Sequence, residues 1–137
     1  STGAHAPTAI NWGYENRTTA IRIPGGPDIA KRIEHRVAGG DANPYLVLAS
    51  ILGAAINGME RKMKPEEPIS GDGYTSGGVS IIKDWKKSIE CFSNSQQIKK
   101  IFDPLLIRSF VDCKKQELDY FKDKSYNHII QTTINAI

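Results

Sequence analysis

The sequence predicts an α+β fold: a small antiparallel β-hairpin or sheet on the N-terminal side, packed by one buried helix and followed by amphipathic helices. Three observations lead to it: strand-like stretches within residues 8–37, an apolar helical segment at residues 44–61, and helical periodicity within residues 79–137. A loop rich in proline and glycine, residues 65–78, separates the last two segments. Because 137 residues suit one core and hardly two, we treat the chain as one domain or part of one.

The first segment contains two stretches typical of strands. Residues 18–23 are rich in β-branched side chains, and the prolines and glycines of residues 24–28 form a strong turn signal. In the second stretch, one face carries Arg32, Glu34 and Arg36, and the opposite face carries Ile33, His35 and Val37. We therefore expect an antiparallel pair of strands with one charged face.

The second segment carries the start signal of a helix. Asn43 can accept hydrogen bonds from the first free amides, and Pro44 suits the first helical position. From there to about Arg61 the helix is apolar on nearly every side, with Tyr45, Leu46, Val47, Leu48, Ile51, Leu52, Ala54, Ala55 and Ile56. A helix of this kind needs partners on several sides, so we expect it to be buried.

The third segment follows a glycine-rich stretch, residues 70–78. This stretch lacks the spacing and the lysine of a nucleotide-binding P-loop and is interpreted as a connection. Beyond it, Ile81, Ile82, Trp85, Ile89 and Phe92 recur at helical spacing. Asp103 and Pro104 start a further helix, and Ser125 caps a short terminal one. These signals predict a helical, amphipathic tail.

The charge and composition of the chain argue against several classes of partner. Its net charge of +3 comes from basic residues interleaved with acidic ones, so we expect no nucleic-acid binding. The longest nearly apolar run, residues 44–56, is too short to span a bilayer, so we expect no membrane partner. Cys91 and Cys113 lack the spacing of a metal site and are expected to be buried or half-buried free thiols in a reducing cytoplasm.

The charged strand face is the feature with chemical content. Arg32, Glu34 and Arg36 lie on it, and Arg17 and Arg22 lie on the preceding stretch. A solvated face of paired charges explains this pattern. A phosphate and metal site also explains it, because arginine grips phosphate oxygens with a planar fork and a carboxylate supplies an oxygen ligand to magnesium. The spacing of the residues leaves both interpretations open.

Three ordered motifs resemble signature segments of one enzyme family. Residues 16–24, 32–36 and 41–46 are similar to consecutive segments of glutamine synthetases. Residues 71–74 and the tail around residues 115–117 resemble the C-terminal part of that family more loosely. The chain thus looks like the C-terminal part of a glutamine synthetase catalytic domain, of the glutamine synthetase or γ-glutamylpolyamine synthetase type.

The resemblance implies an ATP-dependent ligase that forms γ-glutamyl phosphate from glutamate and transfers it to ammonia or an organic amine. By the same resemblance, Arg17, Arg22 and Arg32 would hold the ATP phosphates. Glu34 would be a ligand of Mg²⁺ or Mn²⁺, and Arg36 would hold glutamate or its phosphorylated form. Arg17 and Arg36 would be the catalytic residues, since phosphoryl transfer relies mainly on positioning and charge neutralisation.

Two features bear on the amine acceptor. Ammonia-using members of the family carry a flap glutamate where this chain, by resemblance, has His5. Residues 9–14 look more like the γ-glutamylpolyamine branch. The resemblance therefore implies an organic amine as an alternative to ammonia.

The resemblance also bears on whether the chain acts alone. The family's remaining metal ligands lie in segments for which this sequence has no counterpart, and one ligand cannot hold a metal ion. We therefore expect the isolated chain to be inactive, and a homo-oligomer to form in the full-length protein. The alternative is a catalytically dead remnant that acts as an oligomerisation or interaction module. The intact arginine set favours the ligase, because an interaction module has no need of it.

Overall fold

The computed structural model describes residues 6–134. These residues form two compact units, one ending at Ile81 and the other beginning at Ile82. The first unit holds two small sheets and one long helix, and the second holds helices only. The α+β class predicted from the sequence is confirmed.

Five short strands form the sheets of the first unit. Their bounds are β1 Ala9–Ile10, β2 Trp12–Tyr14, β3 Ile21–Ile23, β4 Glu34–His35 and β5 Val79–Ser80. The expected antiparallel pairing is confirmed between β3 and β4, where Arg22 lies opposite Glu34. On its other side β3 pairs with β2 in parallel, and β1 pairs with β5 in a separate antiparallel sheet. Sequence patterns predicted neither of these two pairings.

The turn between β2 and β3 is held by side chains as well as by the backbone. Thr19 is fully buried, and its hydroxyl lies 2.9 Å from the carbonyl oxygens of both Asn16 and Ile21. The Asn11 side chain accepts a hydrogen bond of 3.1 Å from the Ala20 amide. Because the paired strands have only three residues each, the loop of residues 15–20 is long enough to return the chain to a parallel neighbour.

The long helix of the first unit, α1, spans Pro44–Glu60. Its predicted start is confirmed, since the Asn43 carboxamide accepts hydrogen bonds from the amides of Tyr45 (3.0 Å) and Leu46 (3.2 Å). The prediction that it is buried is wrong: none of its residues is buried. Among the described residues, no strand of its own unit packs against it closely enough to bury any of its residues. An apolar stripe therefore faces outwards, formed by Tyr45, Leu48, Leu52, Ile56 and Met59.

The second unit consists of four helices. They are α2 Trp85–Asn94, α3 Ile98–Ile101, α4 Pro104–Phe121 and α5 Tyr126–Ile134. The helical tail thus begins at Trp85 rather than at residue 79, because Val79 and Ser80 pair with β1. The predicted caps at Asp103 and Ser125 are confirmed by hydrogen bonds from the amides of Leu105 (2.8 Å) and His128 (3.3 Å).

The core of the second unit lies between α2 and α4. Ile89, Ile107 and Val111 are buried together, and partly buried Phe92, Ile98, Phe102 and Leu118 pack against them. Both cysteines lie outside this core. Cys91 and Cys113 are free but exposed, so the prediction of burial is wrong. Each follows a core residue by two positions, which carries it to the opposite side of its helix.

Within residues 6–134, the structure contains no helix that is both long enough and apolar enough to cross a bilayer.

Candidate functional site

A chain of ion pairs connects β2, β3 and β4. Arg22 lies at its centre, with Nη1 3.0 Å from Glu34 Oε2 and Nη2 2.6 Å from Glu15 Oε2. Arg32 approaches Glu34 from the other side, with Nη2 2.8 Å from Oε1. The antiparallel register places Arg22 directly opposite Glu34, which explains why these two side chains meet. We call the four residues Glu15, Arg22, Arg32 and Glu34 the charge network.

The contacts of the charge network shift the pKa values of Glu15, Glu34 and Arg22. The hydrogen bond from the Gly25 amide and the ion pair with Arg22 lower the pKa of the Glu15 carboxyl below its ordinary value. The pKa of Glu34 is lowered by its hydrogen bonds from Arg22 and Arg32, and partial burial opposes the shift. The same bonds, first to Glu15 and then to Glu34, raise the pKa of Arg22. These shifts favour the charged forms of Glu15, Glu34 and Arg22. The network contains two arginines and two glutamates, so its formal charges balance.

The two remaining predicted arginines occupy different surroundings. The Arg36 guanidinium donates to the carbonyl oxygen of Arg17 and, at 3.3 Å, to that of Thr19, so it braces the turn between β2 and β3. The Arg17 side chain is exposed and makes no hydrogen bond or ion pair within residues 6–134. It borders a shallow cleft that also includes Ser70 and Gly71. The structure thus brings together Arg22, Arg32 and Glu34, whereas Arg17 lies on the adjoining turn and Arg36, just after β4, bonds to carbonyl oxygens of that turn.

The glycine-rich loop docks on this same turn. The Gly73 amide donates to the Thr18 hydroxyl at 2.8 Å, and the Asn16 carboxamide donates to the Gly71 carbonyl, also at 2.8 Å. Asn16 also accepts hydrogen bonds from the amide (3.0 Å) and the hydroxyl (2.6 Å) of Thr18. Residues 70–78 are therefore more than the connection expected from the sequence, because they support the turn that carries Arg17.

Sequence reasoning missed two residues of the site, Glu15 and Asn16. An asparagine two positions before a threonine is a signal for a side-chain-capped turn, so Asn16 was detectable. Glu15 gives no such signal. Its position beside Arg22 depends on the parallel register of β2 and β3, which no local pattern reveals. His5, which bears on the amine acceptor, lies outside the described residues.

The residues of the site do not by themselves form a complete metal centre. Within residues 6–134 there is no group of three histidine, cysteine or acidic residues that could hold an ion. Both oxygens of Glu34 accept hydrogen bonds from arginines. A hard cation takes six or more oxygen ligands, so Glu34 can supply only one of several. The arginines are a better fit for an anion such as a phosphate, since planar guanidiniums match its oxygens.

Comparison with known proteins identifies relatives for nearly the whole chain. The sequence model of the family described as "Glutamine synthetase, catalytic domain" matches residues 1–132. The chain is 35% identical over 119 residues to a gamma-glutamylethanolamide synthetase of Streptomyces coelicolor, covering 87% of this chain and 26% of that protein. It is 32% identical over 120 residues to a gamma-glutamylputrescine synthetase of Escherichia coli, covering 88% of this chain and 25% of that protein.

A glutamine synthetase of Sulfolobus acidocaldarius is also similar, with 31% identity over 132 residues, 84% of this chain and 27% of that protein. The chain therefore spans about a quarter of the length of the curated relatives that it matches. Two of these relatives are named for a gamma-glutamyl amide of an organic amine, and the third is named glutamine synthetase.

Proposed function

Because this chain belongs to the glutamine synthetase catalytic-domain family, we propose that it is the C-terminal portion of an ATP-dependent ligase that joins an amine to the γ-carboxyl of glutamate. In such a ligase, ATP phosphorylates the γ-carboxyl and the amine then displaces the phosphate. The chain supplies part of the phosphate-binding side of that site. Its setting is the cytoplasm, and the full-length protein is a homo-oligomer.

The charge network carries the proposal. Arg22 and Arg32 both bind the single carboxylate of Glu34, so two potential phosphate ligands and one potential metal ligand lie within hydrogen-bonding distance of one another. Arg17 adds an exposed guanidinium on the adjoining turn. Glu34 is proposed as one ligand of Mg²⁺ or Mn²⁺, which requires further ligands from outside residues 6–134. Arg36, next to the same turn, is proposed to hold glutamate or its phosphorylated form.

The names of the relatives support an organic amine as the acceptor, with ammonia as the other candidate. Two of the similar proteins are named for gamma-glutamyl products of ethanolamine and putrescine. The presence of His5 where ammonia-using members carry a glutamate agrees with that choice.

Phosphate binding is tested by calorimetry of ATP with Mg²⁺. We expect the chain to bind the nucleotide and the double variant Arg22→Ala, Arg32→Ala to bind at least about tenfold more weakly, because charge-assisted hydrogen bonds to phosphate are lost. The double variant Arg61→Ala, Arg108→Ala removes the same charge from exposed positions outside the charge network and should bind as the unmodified chain does. Absence of binding by the unmodified chain, or equal loss in both double variants, would contradict a preformed phosphate site.

A separate prediction concerns catalysis by the isolated chain. We expect no glutamate-dependent release of ADP, with either ammonium or putrescine as acceptor, because residues 6–134 lack a complete set of metal ligands. A coupled assay of ADP release measures this, with a complete glutamine synthetase as the positive control. Release above the enzyme-free blank that depends on glutamate would refute the expectation.

The exposed stripe of α1 favours a second candidate function, an oligomerisation module without catalysis. Contiguous exposed apolar residues are typical of interaction surfaces, and a second copy of the chain could cover them. If this is correct, the chain sediments as an oligomer and Leu52→Lys shifts it to monomer, whereas Ala54→Lys, off the stripe on the same helix, does not. A chain that sediments as a monomer at every concentration would exclude this candidate.

A further inference from the structure

Glu15 occupies an unusual backbone position at the end of β2. Its φ of 51° lies in the left-handed region, which residues other than glycine seldom adopt. Its amide donates a hydrogen bond of 3.1 Å to the carbonyl of Ile23, the residue of β3 that pairs with Tyr14 at the end of β2. The chain thus turns sharply at Glu15 and directs its carboxylate across β3 towards Arg22.

The Glu15 carboxylate makes two contacts at once. One oxygen accepts a hydrogen bond from Arg22 at 2.6 Å, and the other accepts one from the Gly25 amide. Gly25 lies in the turn that follows β3. Glu15 therefore connects the side chain of Arg22 to the backbone just beyond the strand that carries it.

Few groups other than Glu15 hold the Arg22 guanidinium. Nη1 bonds to Glu34 and Nη2 bonds to Glu15, while Nε is buried and has no hydrogen-bond partner within residues 6–134. The side chain is only 12% exposed, so water offers little alternative. The orientation of the guanidinium plane thus depends on two carboxylates, one on each side.

We propose that Glu15 is a positioning residue, which holds the Arg22 guanidinium in the plane in which it meets a phosphate group. With Glu34 alone, the Arg22 guanidinium would be held by one hydrogen bond and could rotate about it. A second carboxylate on the opposite Nη fixes the plane before a ligand arrives, and preorganised groups bind with a smaller loss of entropy. The phosphate part of this inference rests on the proposed function, whereas the restraint of Arg22 by Glu15 does not.

A competing role for Glu15, in which it blocks phosphate from Arg22, predicts the opposite change in affinity. A carboxylate on Arg22 could compete with phosphate for the same Nη group, and its removal would then strengthen phosphate binding. The position of Glu15 favours restraint, because its second oxygen is held by the Gly25 amide and the carboxylate cannot swing away without breaking that bond.

The test uses nitrogen-15 NMR of arginine side chains in the 137-residue chain. The Arg22 signals are assigned by their loss in Arg22→Lys. We expect slow rotation of the Arg22 guanidinium in the unmodified chain, rotation faster by about tenfold or more in Glu15→Ala, and an intermediate rate in Glu15→Gln, which keeps one acceptor oxygen. Glu60→Gln makes the same charge change at an exposed position outside the charge network and should leave the rate unchanged. Backbone amide spectra verify that each variant is folded.

Titration with tripolyphosphate separates the two parts of the inference. We expect the Arg22 signals to shift in the unmodified chain and the apparent affinity to fall about tenfold in Glu15→Ala. Unchanged rotation in Glu15→Ala would overturn the inference, and so would tighter tripolyphosphate binding by that variant. If Glu15→Ala releases the guanidinium but tripolyphosphate never perturbs Arg22, restraint by Glu15 stands and the phosphate role of Arg22 fails.

Discussion

Replacing Gly73 with alanine is expected to detach the glycine-rich loop from the turn that carries Arg17. A Cβ at this position would lie 2.8 Å from the Thr18 hydroxyl and 2.9 Å from the Thr18 carbonyl oxygen. The carbonyl belongs to the backbone and cannot move aside cheaply, so the loop must shift and lose the hydrogen bond from its amide to Thr18. We expect a loss of about 1–3 kcal/mol in the free energy of unfolding of the first unit, the range typical of overpacking.

The measurement is urea unfolding followed by Trp12 fluorescence in a Trp85→Phe background. Trp12 is a suitable reporter, because its indole donates a hydrogen bond of 2.7 Å to the carbonyl of Glu66, which lies shortly before the glycine-rich loop. Gly40→Ala is the matched control, since a Cβ there meets nothing within 4 Å. A Gly73→Ala variant as stable as Gly40→Ala would show that the loop does not dock on the turn.

Truncation of Ile107 to alanine is expected to destabilise the second unit by about 2–5 kcal/mol. Ile107 is 8% exposed and packs with Ile89 and Val111, so removing its outer carbons leaves a cavity between α2 and α4. Few other buried residues remain in this unit to compensate. The loss should appear as a lower urea midpoint of Trp85 fluorescence in a Trp12→Phe background.

Leu105→Ala serves as the control for this truncation. Leu105 lies on the same helix and has a side chain of similar size, but it is 70% exposed. We expect its effect on the free energy of unfolding to stay within about 0.5 kcal/mol, as is usual for surface substitutions. Equal losses in the two variants would mean that Ile107 is not a core residue.

The starts of α1 and α4 were predictable because each is signalled by two neighbouring residues. Asn43 and Pro44 start α1, and Asp103 and Pro104 start α4, since capping needs only a side-chain oxygen a few bonds from the free amides. The error in the predicted burial of α1 has a different origin. Periodicity identifies which face of a helix is apolar, but a partner must exist to cover it, and within its own unit no described element buries any residue of α1.

The charge network was likewise predictable only in part from the sequence. The alternation of residues 32–37 was sufficient to place Glu34 among arginines, and the motifs around it were sufficient to identify the family. Which arginines meet Glu34 was not predictable from spacing. Arg22 and Arg32 do so, whereas the guanidinium of Arg36 turns to backbone carbonyls and that of Arg17 stays exposed.

The sequence by itself determined the family, the starts of α1, α4 and α5, and the antiparallel pair of β3 and β4, because each depends on residues close together along the chain. Only the tertiary structure decided the parallel pairing of β2 with β3, the docking of the glycine-rich loop and the place of Glu15 beside Arg22. These features depend on the register between segments separated in sequence. Register is set by turn geometry and by which strand faces are buried, and in strands of two or three residues the apolar pattern is too short to specify it.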